Sequence, residues 1–203
     1  MLTDKIGVNS KTPFLDGILF KNTVLISGLV ISPVVFSATT VSASIVLAFI
    51  FSVVTFLTIM ISSFFPRNIV YTIRIILYSL ISSFVFVPVI GYSSHIFPDE
   101  VNNIGIILPL MITNSLIVSK TELRFFRISK GNMIADVFSY IIGFDIVVIL
   151  VGFIREVFGT GMLSGRILGI PINFPVLMYP FGGFLLLGLL GALLKKIIII
   201  FAK

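Results

Sequence analysis

The sequence predicts an all-α membrane protein of six transmembrane helices, arranged as a 3+3 inverted repeat in which helices one and four are broken. Three observations predict it. Of the 203 residues, 58% are hydrophobic and 11% charged, and the mean hydropathy is +1.21, whereas a soluble domain carries roughly a quarter charged residues. Asn22 through Pro66 is 45 residues without a formal charge, too long for one crossing of about 20 residues and suited to two. Two of the apolar stretches carry a proline in mid-span, where the missing amide and the ring clash interrupt a helix.

The elements follow in order. Residues 1–21 are mixed and polar, without the apolar core of a signal peptide. They read as a cytoplasmic lead-in, with an interfacial stretch around Pro13 to Leu19. Residues 22–203 form a single transmembrane domain. Its spans run from Thr23 to Thr39, Val41 to Phe65 (ending at Pro66-Arg67-Asn68), Ile69 to Tyr92, Ile104 to Ser119, Ile134 to Phe158, and Val176 to Leu194 before Lys195-Lys196. A polar loop with His95, Pro98, Asp99 and Glu100 separates spans three and four. A basic loop, Lys120 to Lys130, precedes span five, and a glycine-rich stretch, Gly159 to Gly169, precedes span six.

Charge sets the orientation. Lys5, Lys11, Lys21, Arg67, Lys120, Arg124, Arg127, Lys130, Lys195, Lys196 and Lys203 fall on the N-terminal side, eleven in all; Arg155 and Arg166 fall on the other, and Arg74 lies within span three. Short loops with this asymmetry place the basic side, and both termini, in the cytoplasm.

The same charges exclude other functions. The net charge of +6 comes from residues at helix ends, with no basic, aromatic-studded stripe for nucleic acid. With no cysteine in the chain, disulfides, thiolate metal sites and cysteine nucleophiles are out. The glycine-rich stretch follows a membrane helix instead of a strand, so it lacks the context of a dinucleotide loop. His95 has no second metal ligand nearby and reads as a surface residue.

The two interrupted spans correspond. Span one holds Gly28-Leu29-Val30-Ile31-Ser32-Pro33 and span four Gly105-Ile106-Ile107-Leu108-Pro109; Ser37, Thr39 and Thr40 follow one, and Thr113, Asn114 and Ser115 the other. Small polar groups of this kind can satisfy backbone freed by a break. With three spans per half, the second copy starts from the opposite face, so broken helices would meet near the midplane, as in many transporters. Two unrelated proline kinks at Pro33 and Pro109 are the plainer alternative. Asp145, in the middle of span five, is a candidate ion- or proton-binding group, the alternative being a neutral carboxylic acid that holds helices together. Asn114 and Thr113 join it as candidates for an ion path. Asp136 lies near the cytoplasmic end of span five and can reach water; Arg74 can snorkel to the same face.

From Asn103 to Ser115 the chain is similar to the fourth-span G-I-F-I-P-L-I-V-V-N-C pattern of the membrane subunits of the Rnf and sodium-pumping NADH:quinone oxidoreductase complexes. Ala135-Asp136 resembles the aspartate opening their fifth helix, and Arg155-Glu156-Val157-Phe158-Gly159-Thr160-Gly161-Met162-Leu163-Ser164-Gly165 resembles their R-E-L-L-G-S-G-T-L-F-G segment. Leu25 through Thr40 is similar to their first-span G-L-C-P-L-L-A-V-S-N-T stretch, and Pro66-Arg67 to a proline–arginine pair after the second span. The likeness covers about residues 20–194, and cytoplasmic termini favour the RnfE/NqrD type. Ser37-Ala38-Thr39-Thr40 is in the wrong order for the covalent-flavin signature of sister subunits.

The resemblance implies a bacterial inner-membrane subunit that pairs face to face with a sister six-helix subunit and with other subunits of a membrane oxidoreductase. It implies a part in coupling electron transfer to ion movement, with no catalytic activity of the chain alone. In the family each of the paired subunits contributes two cysteines to an intramembrane [2Fe-2S] cluster. Here those positions fall on Ser32, just before Pro33, and Ser115, just after Asn114. Iron–sulfur clusters are held by thiolates, and a serine hydroxyl is harder and stays protonated near neutral pH. The expectation is therefore that this chain binds no cofactor. Loss of the cluster in a divergent paralogue, another electron route in the complex, and removal of cysteine from the chain all fit that pattern. A different class remains open: a small solute transporter, or the substrate-binding membrane component of one, using the broken helices as its site. A cluster-free assembly factor is a third.

Overall fold

The computed structural model describes residues 16–66, 68–123, 129–163, 165–167 and 174–201. Residues 1–15, with Lys5, Lys11 and Pro13, lie outside the described residues, as do Arg67, Arg124, Arg127, Ser164, Gly169 and Lys203.

Seven α-helices are described: α1 (Ile31–Ser37), α2 (Val41–Ser62), α3 (Tyr71–Ile96), α4 (Pro98–Ile104), α5 (Ser115–Leu123), α6 (Lys130–Thr160) and α7 (Pro180–Phe201). A π-helical turn (Asp16–Phe20) precedes α1, a 3-10 segment (Gly105–Met111) joins α4 to α5, and a second 3-10 turn (Pro175–Met178) leads into α7. Among the described residues, five helical stretches are long and apolar enough to cross a bilayer: Val41–Ser62, Tyr71–Ile96, Pro98–Glu122, Lys130–Thr160 and Pro180–Ile200. The chain is thus an all-α membrane protein.

The differences from the expected spans have local causes. The polar loop expected around His95 is helical: α3 runs on through His95, and Pro98 opens α4. Proline at the first helical position loses no hydrogen bond, and Asp99 and Glu100 in the first turn complement the helix dipole. The glycine-rich stretch contains a two-stranded hairpin, β1 (Met162–Leu163) with β2 (Arg166–Ile167), turned by Gly165 at φ 78. The expected span one contains only the seven-residue α1, because Asn22–Leu29 is a run of turns.

Helices α2 and α6 form the centre. Phe51 stacks on Phe144 with centroids 3.6 Å apart, Phe56 meets Phe138 at 4.9 Å, and Val46, Leu47, Ile50, Val148 and Val151 are buried around them. Two glycines of α6 set the closest approaches. A Cβ at Gly152 would collide with Ser44 Oγ and Thr40 O, and one at Gly143 with the carbonyl of Gly17. Small residues at such crossings let backbones pack where the hydrophobic effect between helices is absent. The outer helices α3 and α7 turn apolar side chains outward, among them Ile76, Phe84, Val87, Phe181, Leu185 and Leu189. A soluble surface would not carry a contiguous face of this kind, whereas acyl chains accept it.

Candidate functional site: two breaks held against the central helices

The first break lies upstream of Pro33. That proline is at the third position of α1, where an amide has no intrahelical partner in any case. The chain opens instead at Gly28 (φ 66) and at Val30 (φ 58). A β-branched residue in the left-handed region is strained. Val30 is held there by donation of its N–H to Ser115 Oγ, 3.2 Å away in the other break. In the second, Gly105 (φ 50) ends α4, Pro109 sits inside the 3-10 segment, and Thr113-Asn114 separates that segment from α5. The structure therefore puts the discontinuities beside the two prolines and brings the breaks into contact.

An asparagine anchors each break. Asn22 is buried; its Oδ1 accepts from Val24 N (3.0 Å) and Leu25 N (3.1 Å), and its Nδ2 donates to Ile18 O (3.0 Å) and to Gly143 O on α6 (2.9 Å). Asn114 repeats the pattern: Oδ1 accepts from Leu116 N (2.9 Å) and Nδ2 donates to Thr55 Oγ1 on α2 (2.9 Å). One amide end supplies an acceptor to a freed backbone N–H, which would otherwise cost about 1–3 kcal/mol. The other ties the break to a continuous helix. Gly17 N also donates to Ser139 Oγ at 3.0 Å. The π-helical turn thus lies along α6 between Ser139 and Gly143, about 13–20 Å along the helix from Lys130 at 1.5 Å per residue.

Arg155 and Glu156 close the far end. Arg155, 0% exposed, donates to Val35 O (2.7 Å), Ala38 O (3.1 Å), Leu177 O (2.8 Å) and Met178 O (2.9 Å). These carbonyls belong to the end of α1 and the 3-10 turn before α7, so a cation meets helix C-termini. Glu156 Oε2 accepts from Val41 N at 2.7 Å, at the start of α2. Arg155 counts in the sequence as a charge of the outer face. The structure shows it buried, with four carbonyls in place of water.

The other expected residues fall as follows. Ser32 and Ser115 are exposed on adjoining breaks. Thr113 is exposed, and with Asn114, Tyr78 and Ser79 lines a cavity of about 220 Å³. Asp145 accepts from Ser52 Oγ at 2.8 Å through Oδ2, while its Oδ1 is buried and makes no hydrogen bond. Asp136, expected to reach water, is instead 3% exposed. Arg74 does not simply snorkel. It forms a two-pronged pair with Glu122 (Nε–Oε1 3.0 Å, Nη2–Oε2 2.6 Å), and Tyr78 Oη donates to the same carboxylate at 2.6 Å. His95 is exposed.

Asn22, Glu122 and the separate roles of Arg155 and Glu156 escape a reading by pattern. The one signal they leave is a polar residue opening or closing a long apolar run. Among the described residues no group of three or more His, Asp or Glu could hold a metal ion. Ser32 and Ser115 do not fit an iron–sulfur cluster either. They offer two hydroxyls and no thiolate, and Ser115 Oγ already accepts a backbone N–H.

The fold and site define a polytopic helical membrane protein in which two discontinuous segments, upstream of α1 and between α4 and α5, are in contact. A family model described as Rnf-Nqr subunit, membrane protein, matches residues 11–191, and the chain belongs to that family. It is 34% identical over 94 residues to a subunit of the Na(+)-translocating ferredoxin:NAD(+) oxidoreductase complex of Acetobacterium woodii, covering 45% of this chain and 48% of the relative. It is 26% identical over 159 residues to a subunit of the Na(+)-translocating NADH-quinone reductase of Chlamydia pneumoniae, covering 76% and 73%. With a subunit of the ion-translocating oxidoreductase complex of Shewanella oneidensis it shares 31% over 109 residues, 45% of this chain and 46% of the relative. These relatives are of the RnfE and NqrD types. The chain spans about half the length of the first and third of them.

Proposed function

We propose that this chain is a membrane subunit of an Rnf/Nqr-like complex that couples electron transfer to ion movement, and that it pairs there with a sister six-helix subunit through the face carrying Ser32 and Ser115. The observation that carries this reading is the contact of the two breaks, Val30 N to Ser115 Oγ. It supports the reading because Ser115 and the backbone two residues before Ser32 meet there, and both serines are exposed. The 3+3 inverted repeat is supported by the exchange of anchors. The first break is tied by Asn22 to α6, in the second half of this arrangement, and the second break by Asn114 to α2, in the first half.

With hydroxyls at both positions, the chain contributes no iron–sulfur ligands, and its role is scaffold or ion pathway. Asp145 on α6, with Ser52, and Asn114 with Thr113 are its candidate ion-path groups. Both termini are cytoplasmic, in a bacterial inner membrane, by the distribution of basic residues.

Affinity purification of the tagged chain from its native membrane tests the reading. A second six-span Rnf/Nqr-type subunit with flavoprotein and ferredoxin-like subunits is the expected result. Recovery with an ATPase pair instead would establish a transporter component.

A further inference from the structure

A groove of about 770 Å³ opens between the irregular segment Phe20–Ile31 and α7. Its walls are apolar, with Leu25, Phe184 and Leu187 among them, and Gly188 and Gly191 keep the α7 side shallow. Three basic residues line it, Lys21, Lys120 and Lys195, from three different elements, and none of its described lining residues is acidic. The Lys120 ammonium also sits 4.6 Å over the Tyr140 ring, a contact that holds it at the wall. Along α7 the lining runs from Phe184 to Ile199, about 22 Å at 1.5 Å per residue, which is the reach of an acyl chain and not of a compact solute.

We propose that this groove is a binding site for an anionic phospholipid, with an acyl chain along α7 and the phosphate among Lys21, Lys120 and Lys195. The volume lies in the range of about 300–1,000 Å³ usual for small-molecule sites. Basic pockets between membrane helices on the cytoplasmic side recruit anionic headgroups in this way. Lysine stems lie along apolar walls while their ammonium groups reach the interface. A bound lipid would also brace the first break, because Leu25, Gly28 and Ile31 line the groove. The site is independent of the electron-transport reading.

The test is native mass spectrometry of the full chain in neutral detergent, titrated with phosphatidylglycerol and phosphatidylcholine of matched acyl chains. Phosphatidylglycerol is expected to be retained preferentially. Lys21→Gln, Lys120→Gln and Lys195→Gln should each weaken its retention by about fivefold, as for roughly 1 kcal/mol per lysine near an anionic headgroup. The matching Lys→Arg variants should keep it. Lys196→Gln, on the same helix but outside the lining, should leave it unchanged. Gly188→Leu adds a side chain where a Cβ meets nothing within 4 Å; it should fold and block retention. Equal retention of the two lipids, retention of neither, undiminished phosphatidylglycerol binding in the triple Gln variant, or an equal loss in Lys196→Gln would each overturn the proposal.

Discussion

Arg155 and Glu156, adjacent in the chain, hold opposite sides of one turn: the guanidinium takes the carbonyls of Val35 and Ala38 at the end of α1, and the carboxylate takes the amide of Val41 at the start of α2. Each charge meets the helix end of opposite sign. With only seven residues, α1 is too short to persist by its own hydrogen bonds, so the pair supplies its closure. Arg155→Met leaves four carbonyls without their donor and should lower stability by about 3 kcal/mol or more. Arg155→Lys should fall between, since one ammonium cannot span four acceptors. Glu156→Gln keeps an acceptor for Val41 and should cost about 1 kcal/mol or less. Thermal unfolding in mild detergent ranks the three. An unaltered midpoint for Arg155→Met would contradict the closure.

Asn22→Ala should release the first break. Two backbone amides lose their acceptor and the link to Gly143 disappears, a loss of about 3–4 kcal/mol from caps at roughly 1 kcal/mol each and a membrane-buried hydrogen bond at about 0.6–2 kcal/mol. Gly143→Ala should act on the same contact from the other side, its methyl displacing Gly17. In hydrogen exchange both variants should deprotect residues 16–29 while the centre of α2 stays protected. Uniform deprotection of the whole chain would contradict a local anchor.

These anchors mark where the sequence was legible. Long apolar runs show as α2, α3, α6 and α7, because in lipid a spanning segment must satisfy its own backbone and so forms a helix. Gly28, Pro33, Gly105 and Pro109 lie in the two segments where the helical run is interrupted in the structure. They do not give the point of breakage, because a proline in the first turn of α1 is compatible with the helix, whereas Val30 takes its left-handed conformation beside Ser115, a residue far away in sequence. Arg155 reads as an orienting surface charge, since nothing local announces four carbonyls from Val35, Ala38, Leu177 and Met178. Asp136 reads as wet because its place near a helix end says nothing of the packing that buries it. Ser32 and Ser115 are singled out by resemblance, and the hydrogen bond from Val30 to Ser115 is seen only in the structure.

Because the chain has no cysteine, single-cysteine labelling can test the orientation without background. Lys196→Cys should react with a membrane-impermeant maleimide only when the cytoplasmic face is open to the reagent. Arg166→Cys, in the exposed hairpin, should react from outside in intact cells. The reverse pattern would invert the topology that eleven basic residues on one side and two on the other imply.

The purified subunit should carry no stoichiometric iron and no visible iron–sulfur absorbance, since Ser32 and Ser115 supply no thiolate. Co-expression with a sister subunit that provides two thiolates should leave that result unchanged. Iron at one cluster per pair would show that two serine oxygens, or residues of the partner, complete the ligand set.

Asp145 carries the sharpest test of an ion path. One oxygen accepts from Ser52 Oγ and the other is buried without a hydrogen bond, an arrangement costly for a carboxylate among apolar helices. A structural acid gains little from such a position, whereas a site that takes up a proton or small cation needs an acceptor left open. Asp145→Asn retains an oxygen for Ser52 and removes the charge, so assembly and unfolding midpoint should hold. Ion-coupled flux should drop on the order of tenfold, the change that about 1.4 kcal/mol of lost ion affinity makes. Asp145→Leu separates the alternatives: exchanging a poorly satisfied buried charge for an apolar side chain is neutral or stabilising, so flux should vanish from a subunit that assembles as well as before. Were Asp145 structural, flux would instead fall only in step with the amount of assembled complex, and Asp145→Asn would leave it unchanged.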